Sequence, residues 1–246
     1  MVRPAASPSL VAVLLLVVLL GACAGPSGAR APAGWRQGTW VELVTAPGSQ
    51  DLSREQVGQA MTGHFSNMDR LVEAGQLWVA GPLGEPKADP LHRGVYLLAA
   101  ADVAEGLELA RSDPAVQAGV FALRAASFAS PDAVERIAEL DRDLLAARQA
   151  ARPDETVTWE GRGYVLARNP RGPVADAVVA SLRAGGQALF AGHLGGDDWL
   201  VCLDVQQPPA ARAALVAAGA GKTAGDWTLM PWYASAALVD LPELSR

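Results

Sequence analysis

Thiol chemistry, clustered positive charge and clustered metal ligands are all scarce in this chain. Only two cysteines, Cys23 and Cys202, occur in 246 residues, too few for the disulfide framework that staples small exported domains. Cys202 lies inside an apolar strand pattern with no histidine close in sequence, so no cysteine nucleophile is expected. His64, His92 and His193 stand far apart. None has a partner at zinc-ligand spacing, so neither a metal nor a cofactor is expected. Lys and Arg total 20 against 26 Asp and Glu, a formal charge of −6, and the basic residues are dispersed instead of forming the stripe that a nucleic acid requires. Nucleic acid is thereby excluded as a partner. What the chain does have is apolar content: half of its residues are hydrophobic, enough for a packed core and too much for a disordered or fibrous chain.

The longest apolar run is at the start. Arg3 gives a short positive region, and residues 10–20 are unbroken apolar. Such a run is too short to span a bilayer comfortably and reads as a secretory signal. The stretch Leu20-Gly21-Ala22-Cys23 resembles the bacterial lipobox. That resemblance implies cleavage before Cys23 and lipid on the new terminal cysteine, hence an extracytoplasmic protein anchored to the cell membrane or outer membrane. The alternative is an ordinary signal peptide whose cleavage site holds a cysteine. Residues 1–22 are then the signal and residues 23–34, rich in Gly, Pro, Ser and Ala, a lipidated tether. Lipid on Cys23 would leave Cys202 without a disulfide partner.

From residue 39 the pattern predicts strand, helix, strand, strand, helix, strand. Residues 39–45 alternate as a half-buried strand does. Ser53 and Gln56 form a capping-box pair, and Val57, Ala60, Met61, His64, Met68, Leu71 and Val72 recur at helical spacing until Gly75. Residues 76–80 and 94–99 are strands, Asp102 and Glu105 open a second helix, Asp113-Pro114 opens a turn that Gly119 ends, and residues 120–128 are the last strand. A connecting helix follows Ser130-Pro131-Asp132. The order then returns: strand 164–167, helix 174–184, strands 187–191 and 200–205, helix 209–218, strand 227–234. Ala74-Gly75-Gln76-Leu77-Trp78-Val79-Ala80-Gly81 parallels Gly185-Gly186-Gln187-Ala188-Leu189-Phe190-Ala191-Gly192, which points to an internal repeat. Each copy is a ferredoxin-like βαββαβ unit with both helices on one sheet face. The uncovered faces bury each other if the two units pack within the chain, giving an α+β fold, an intrachain pseudo-dimeric barrel and a monomer.

His64, the Gly75-Gln76-Leu77 and Ala80-Gly81-Pro82 signature, and Asp113-Pro114-Ala115-Val116-Gln117-Ala118-Gly119 resemble the YCII-related family of dimeric α+β barrel proteins. The resemblance implies that residues 35–130 are a YCII-like domain, with His64 and Asp113 as the catalytic pair. The connecting helix then falls in residues 131–153, and the second copy, residues 154–246, departs from the family pattern and is expected to be degenerate. Alignment on the glycines puts Ala175 opposite His64 and Gly219 opposite Asp113, and neither can exchange a proton. By the same resemblance, lyase or isomerase chemistry on a small molecule is the enzyme reading. A non-catalytic module of the envelope that binds a small ligand or partner is the alternative, and a purely structural component a third.

The residues alone allow plainer roles. His64 falls on the apolar stripe of its helix, where a core histidine satisfied by a backbone carbonyl would also sit, and Asp113 precedes a proline as a helix cap does. A histidine beside a carboxylate, by contrast, is held in one tautomer and can move a proton near neutral pH. Of the seven tryptophans, Trp35, Trp40, Trp78 and Trp159 are candidates for a binding stripe; Trp40 and Trp78 are expected instead in the core as strand residues, and Trp35, in the tether, has no evident place. Arg70 and Glu73 read as a solvated helix face.

Overall fold

The structure, a computed structural model, describes residues 31–157, 159–196 and 198–244. Cys23 and the apolar run of residues 10–20 lie outside the described residues. No helix among those described is long and apolar enough to cross a membrane.

The first half comprises β1 (Arg36–Thr45), α1 (Arg54–Glu73), β2 (Leu77–Pro82), β3 (His92–Leu98), α2 (Val103–Arg111), α3 (Pro114–Gln117) and β4 (Phe121–Ser130). The connecting helix α4 (Ile137–Ala151) leads to β5 (Gly161–Pro170), α5 (Pro173–Ala184), β6 (Ala188–Leu194), β7 (Asp198–Leu203), α6 (Pro208–Leu215), β8 (Thr228–Ser235) and α7 (Leu241–Leu244). One antiparallel sheet runs β2-β3-β1-β4-β6-β7-β5-β8. Its first and last four strands each have the order of a split βαβ unit.

Two seams join the halves. At the first, Phe128 and Ala129 of β4 pair with Leu194 and His193 of β6. Just beyond it Asp132 accepts from the two terminal guanidinium nitrogens of Arg183 at 2.8 and 2.6 Å and from the Ala191 backbone N–H at 2.8 Å. The second seam is slighter. Leu83 and Trp232 form a bridge, Gly84 N–H donates to the Pro231 carbonyl at 2.8 Å, and the Trp232 indole donates to the Gly81 carbonyl at 3.3 Å. With that contact the eight strands form a nearly closed barrel.

A glycine makes each seam possible. A Cβ on Gly81 would collide with the Tyr233 carbonyl oxygen, and one on Gly192 would lie 2.6 Å from the Ala129 carbonyl oxygen and 2.5 Å from the Phe128 ring. Gly81 and Gly192 hold matching places in the two parallel segments of the sequence, so the signature glycine is a requirement for close strand approach.

Closure explains why β1 departs from half-buried alternation. Trp40, Val41, Leu43 and Val44 are all buried, because one face of the strand points into the barrel and the other lies under helices. The interior cluster draws on both halves through Trp40, Phe128, Phe190, Trp232 and Tyr164, whose successive ring centroids are 6.2 to 6.4 Å apart. Separate clusters lie under the helices of each half. Trp78 is only partly buried against the interior cluster. Trp35 finds a place on the His193 ring, centroids 4.7 Å apart. The 3-10 segment Ala236–Asp240 and α7, which the sequence pattern did not reveal, add the fully buried Leu238 and Leu241 to the barrel interior.

Candidate functional site

His64 stands on the stripe of α1 that faces the sheet, with Ala60, Asn67 and Leu71 as its buried neighbours. The helix starts where the capping box places it, with Gln56 N–H donating to Ser53 and the Gln56 side chain accepting from Ser53 N–H. Gly63 then sets a close helix contact: a Cβ there would lie 2.7 Å from the Pro114 side chain. That approach carries α3, and with it Asp113, against α1.

Asp113 performs both roles that the sequence allows, one with each oxygen. Oδ1 accepts from the Ala115 N–H at 2.8 Å as a helix cap. Oδ2 accepts from His64 Nδ1 at 2.7 Å and from the Tyr96 hydroxyl at 2.7 Å. The carboxylate is fully buried and the His64 side chain only 8 % exposed. Burial pushes the Asp113 carboxyl up, but hydrogen bonds from His64 and Tyr96 outweigh it and hold the group below its ordinary value. Tyr96 is shifted upward by burial and by the adjacent Asp113 charge. Its hydroxyl stays protonated and serves as a donor.

A carboxylate can only accept, so the shared bond places an imidazole proton on Nδ1, which in the neutral ring leaves the lone pair on Nε2. Among the described residues the hydrogen bonds of the ring run through Nδ1. Phe65, Phe121 and Tyr96 surround it, with centroids at 5.3, 5.6 and 5.9 Å.

Tyr96 is the member that sequence reasoning missed. It points from β3 toward the helices, and nothing in one strand's alternation distinguishes it from an ordinary aromatic. Arg70 is exposed, as expected, and also donates to Asn67 Oδ1 at 2.8 Å and to Ser112 Oγ at 3.0 Å, tying α1 to the residue before Asp113. The Asn67 amide nitrogen is buried without a partner.

The second half carries none of this polarity. Strand register matches Tyr96, opposite Ala80, with Val201, opposite Ala191. Helix α5 packs on the π-helical turn Val216–Ala220 as α1 packs on α3. Val201 and Ala175 are buried and apolar, and Gly219 lies in that turn with φ +104°.

Two cavities lie outside this network, and neither is lined by His64, Tyr96 or Asp113. One of about 370 Å³ opens at an end of the barrel among Glu42, His92, Arg124, Arg168 and Asp198. A groove of about 830 Å³ runs between α1 and α4 over β2. Cys202 is fully buried, its thiol pushed up by burial. Among the described residues no group of three His, Cys, Asp or Glu is placed to hold a metal.

Residues 41–128 match the YCII-related domain. No curated protein matches the sequence. Among solved structures, one variant of chlorite dismutase from Candidatus Nitrospira defluvii is 10 % identical over 88 % of this chain and 97 % of its own, with a TM-score of 0.49. A second variant is 11 % identical over the same shares, with a TM-score of 0.48.

Proposed function

Starting from a YCII-related domain at residues 41–128, we propose that this is a monomeric lipoprotein of the cell envelope whose first half performs general acid/base chemistry on a small molecule. His64 takes the proton on Nε2. Asp113 fixes the tautomer and balances the imidazolium that forms, while Tyr96 holds the carboxylate oxygen in line. The reaction class is a proton-transfer elimination or isomerisation, the kind the family resemblance implies, and Cys23 carries the lipid.

One observation carries the acid/base assignment. The second half fills the matching positions with Ala175, Val201 and Gly219 and folds into the same strand order. A buried His-Asp-Tyr network is therefore not something the fold needs, and such a network costs free energy unless every polar group in it is satisfied. Its presence in one half alone favours use over packing.

A second reading, ligand binding without proton transfer, is favoured by the two cavities, neither of which is lined by His64 or Asp113. Diethyl pyrocarbonate, which acylates a free imidazole nitrogen, separates the two. Peptide mass mapping of the native full chain should find His64 modified at Nε2, and Asp113→Asn should slow that modification. A His64 that reacts only after unfolding is sealed from solvent, and the binding reading then replaces the catalytic one.

A further inference from the structure

The groove between α1 and α4 has a chemistry of its own, independent of the acid/base reading. Its volume of about 830 Å³ is within the range of small-molecule sites, roughly 300–1,000 Å³. Helices wall it on both sides, a concave form that suits a compact ligand better than a flat protein surface.

The exposed aromatic side chains of the described residues gather here. Phe65 is 58 %, Trp159 47 % and Tyr233 45 % exposed, and all three line this groove together with Trp78. The Trp159 and Tyr233 rings meet edge to face at 6.0 Å. Charge at the groove is unbalanced: Asp69, Glu73 and Asp141 face a single Arg142. Asp69 and Glu73 have no ion-pair partner among the described residues. Asp141 accepts from the Ser235 hydroxyl at the aromatic end of the groove; burial pushes its carboxyl up, and the Ser235 hydroxyl and the nearby Trp159 indole work against that rise.

Aromatic faces carry negative potential and attract cations, most strongly organic ammonium groups that shed water easily. An apolar body fits the aliphatic floor, and a positive head fits the rings and the carboxylate. We propose that this groove binds an organic cation, an ammonium group on an apolar body.

Isothermal titration of the full chain tests this with two soluble probes of similar size and opposite charge, benzyltrimethylammonium and phenylacetate. The cation should bind at least about tenfold more tightly than the anion. Trp159→Leu, which changes no charge, should weaken the cation by about 2- to 30-fold, and Asp141→Asn should narrow the preference over phenylacetate. Phosphatidylcholine vesicles that displace the probe assign the ammonium to a lipid headgroup; vesicles that do not displace it assign it to a soluble compound, and either result upholds the chemistry. Equal or tighter binding of phenylacetate overturns the proposal. So does cation binding that neither substitution alters.

Discussion

Replacing Tyr96 with phenylalanine removes one oxygen from the buried network and leaves the ring in place. The lost bond is the 2.7 Å donation to Asp113 Oδ2. A hydrogen bond to a charged group contributes about 1.5–3 kcal/mol. Asp113 keeps its donors from His64 and Ala115, so the cost should fall at the lower end, about 1.5 kcal/mol, or a midpoint about 3–6 °C lower for a chain of this size. The pH dependence identifies the cause. Asp113 is held below its ordinary value partly by this bond, so the stability that it contributes is present above the unfolded aspartate value, about 3.9, and lost as pH falls through the lower folded value. Tyr96→Phe moves the folded value back up. Its deficit should therefore be complete at neutral pH and shrink below about pH 4. Urea denaturation at pH 7, 5 and 3.5 measures it, with an unchanged slope certifying a common unfolded state. No loss at pH 7 would refute the bond, and an undiminished loss at pH 3.5 would assign the effect to packing.

Gly81→Ala should destabilise by about 1–3 kcal/mol or more through the clash at the Tyr233 carbonyl, and Gly192→Ala likewise. Gly225→Ala, where an added Cβ meets nothing within 4 Å, should stay within about 0.5 kcal/mol, and calorimetry compares the three. Cys23→Ser should move the protein out of the membrane fraction or stall its processing, since acyl burial contributes about 0.8 kcal/mol per methylene; unchanged fractionation would count against lipidation at Cys23. Light scattering on the fragment from Trp35 onward should give a monomer mass, and a dimer formed through the first half would contradict closure within one chain.

The two-fold succession of strands and helices was legible because its signals are local: a capping box at Ser53, glycine stops at Gly75 and Gly186, and alternation along residues 39–45. The pairing of His64 with Asp113 was legible only through family resemblance, since the helix stripe and the cap each have a plainer explanation. Tyr96 was invisible because its role depends on two residues far away in sequence, and strand alternation gives it only a face. The segment from Ala236 onward was missed for another reason: a cap five to nine residues long completes too few turns to show periodicity, yet it closes the barrel interior with Leu238 and Leu241. The exposed aromatics around Trp159 belong to three separate stretches of chain, so their meeting is purely tertiary.

The weak second seam bears on how the protein avoids aggregation. An open eight-stranded sheet would present β2 and β8 as free edges, each a template for a strand from another molecule. Here one bridge and a few hydrogen bonds turn each edge into the other's partner. The same economy is a liability, because any event that parts Leu83 from Trp232 uncovers two complementary edges at once. Since β2 of one chain is complementary to β8 of the next, the opened form exposes a head-to-tail interface, which builds a closed ring where the rotation closes and a filament where it does not. The glycine at position 81 therefore guards solubility as well as shape.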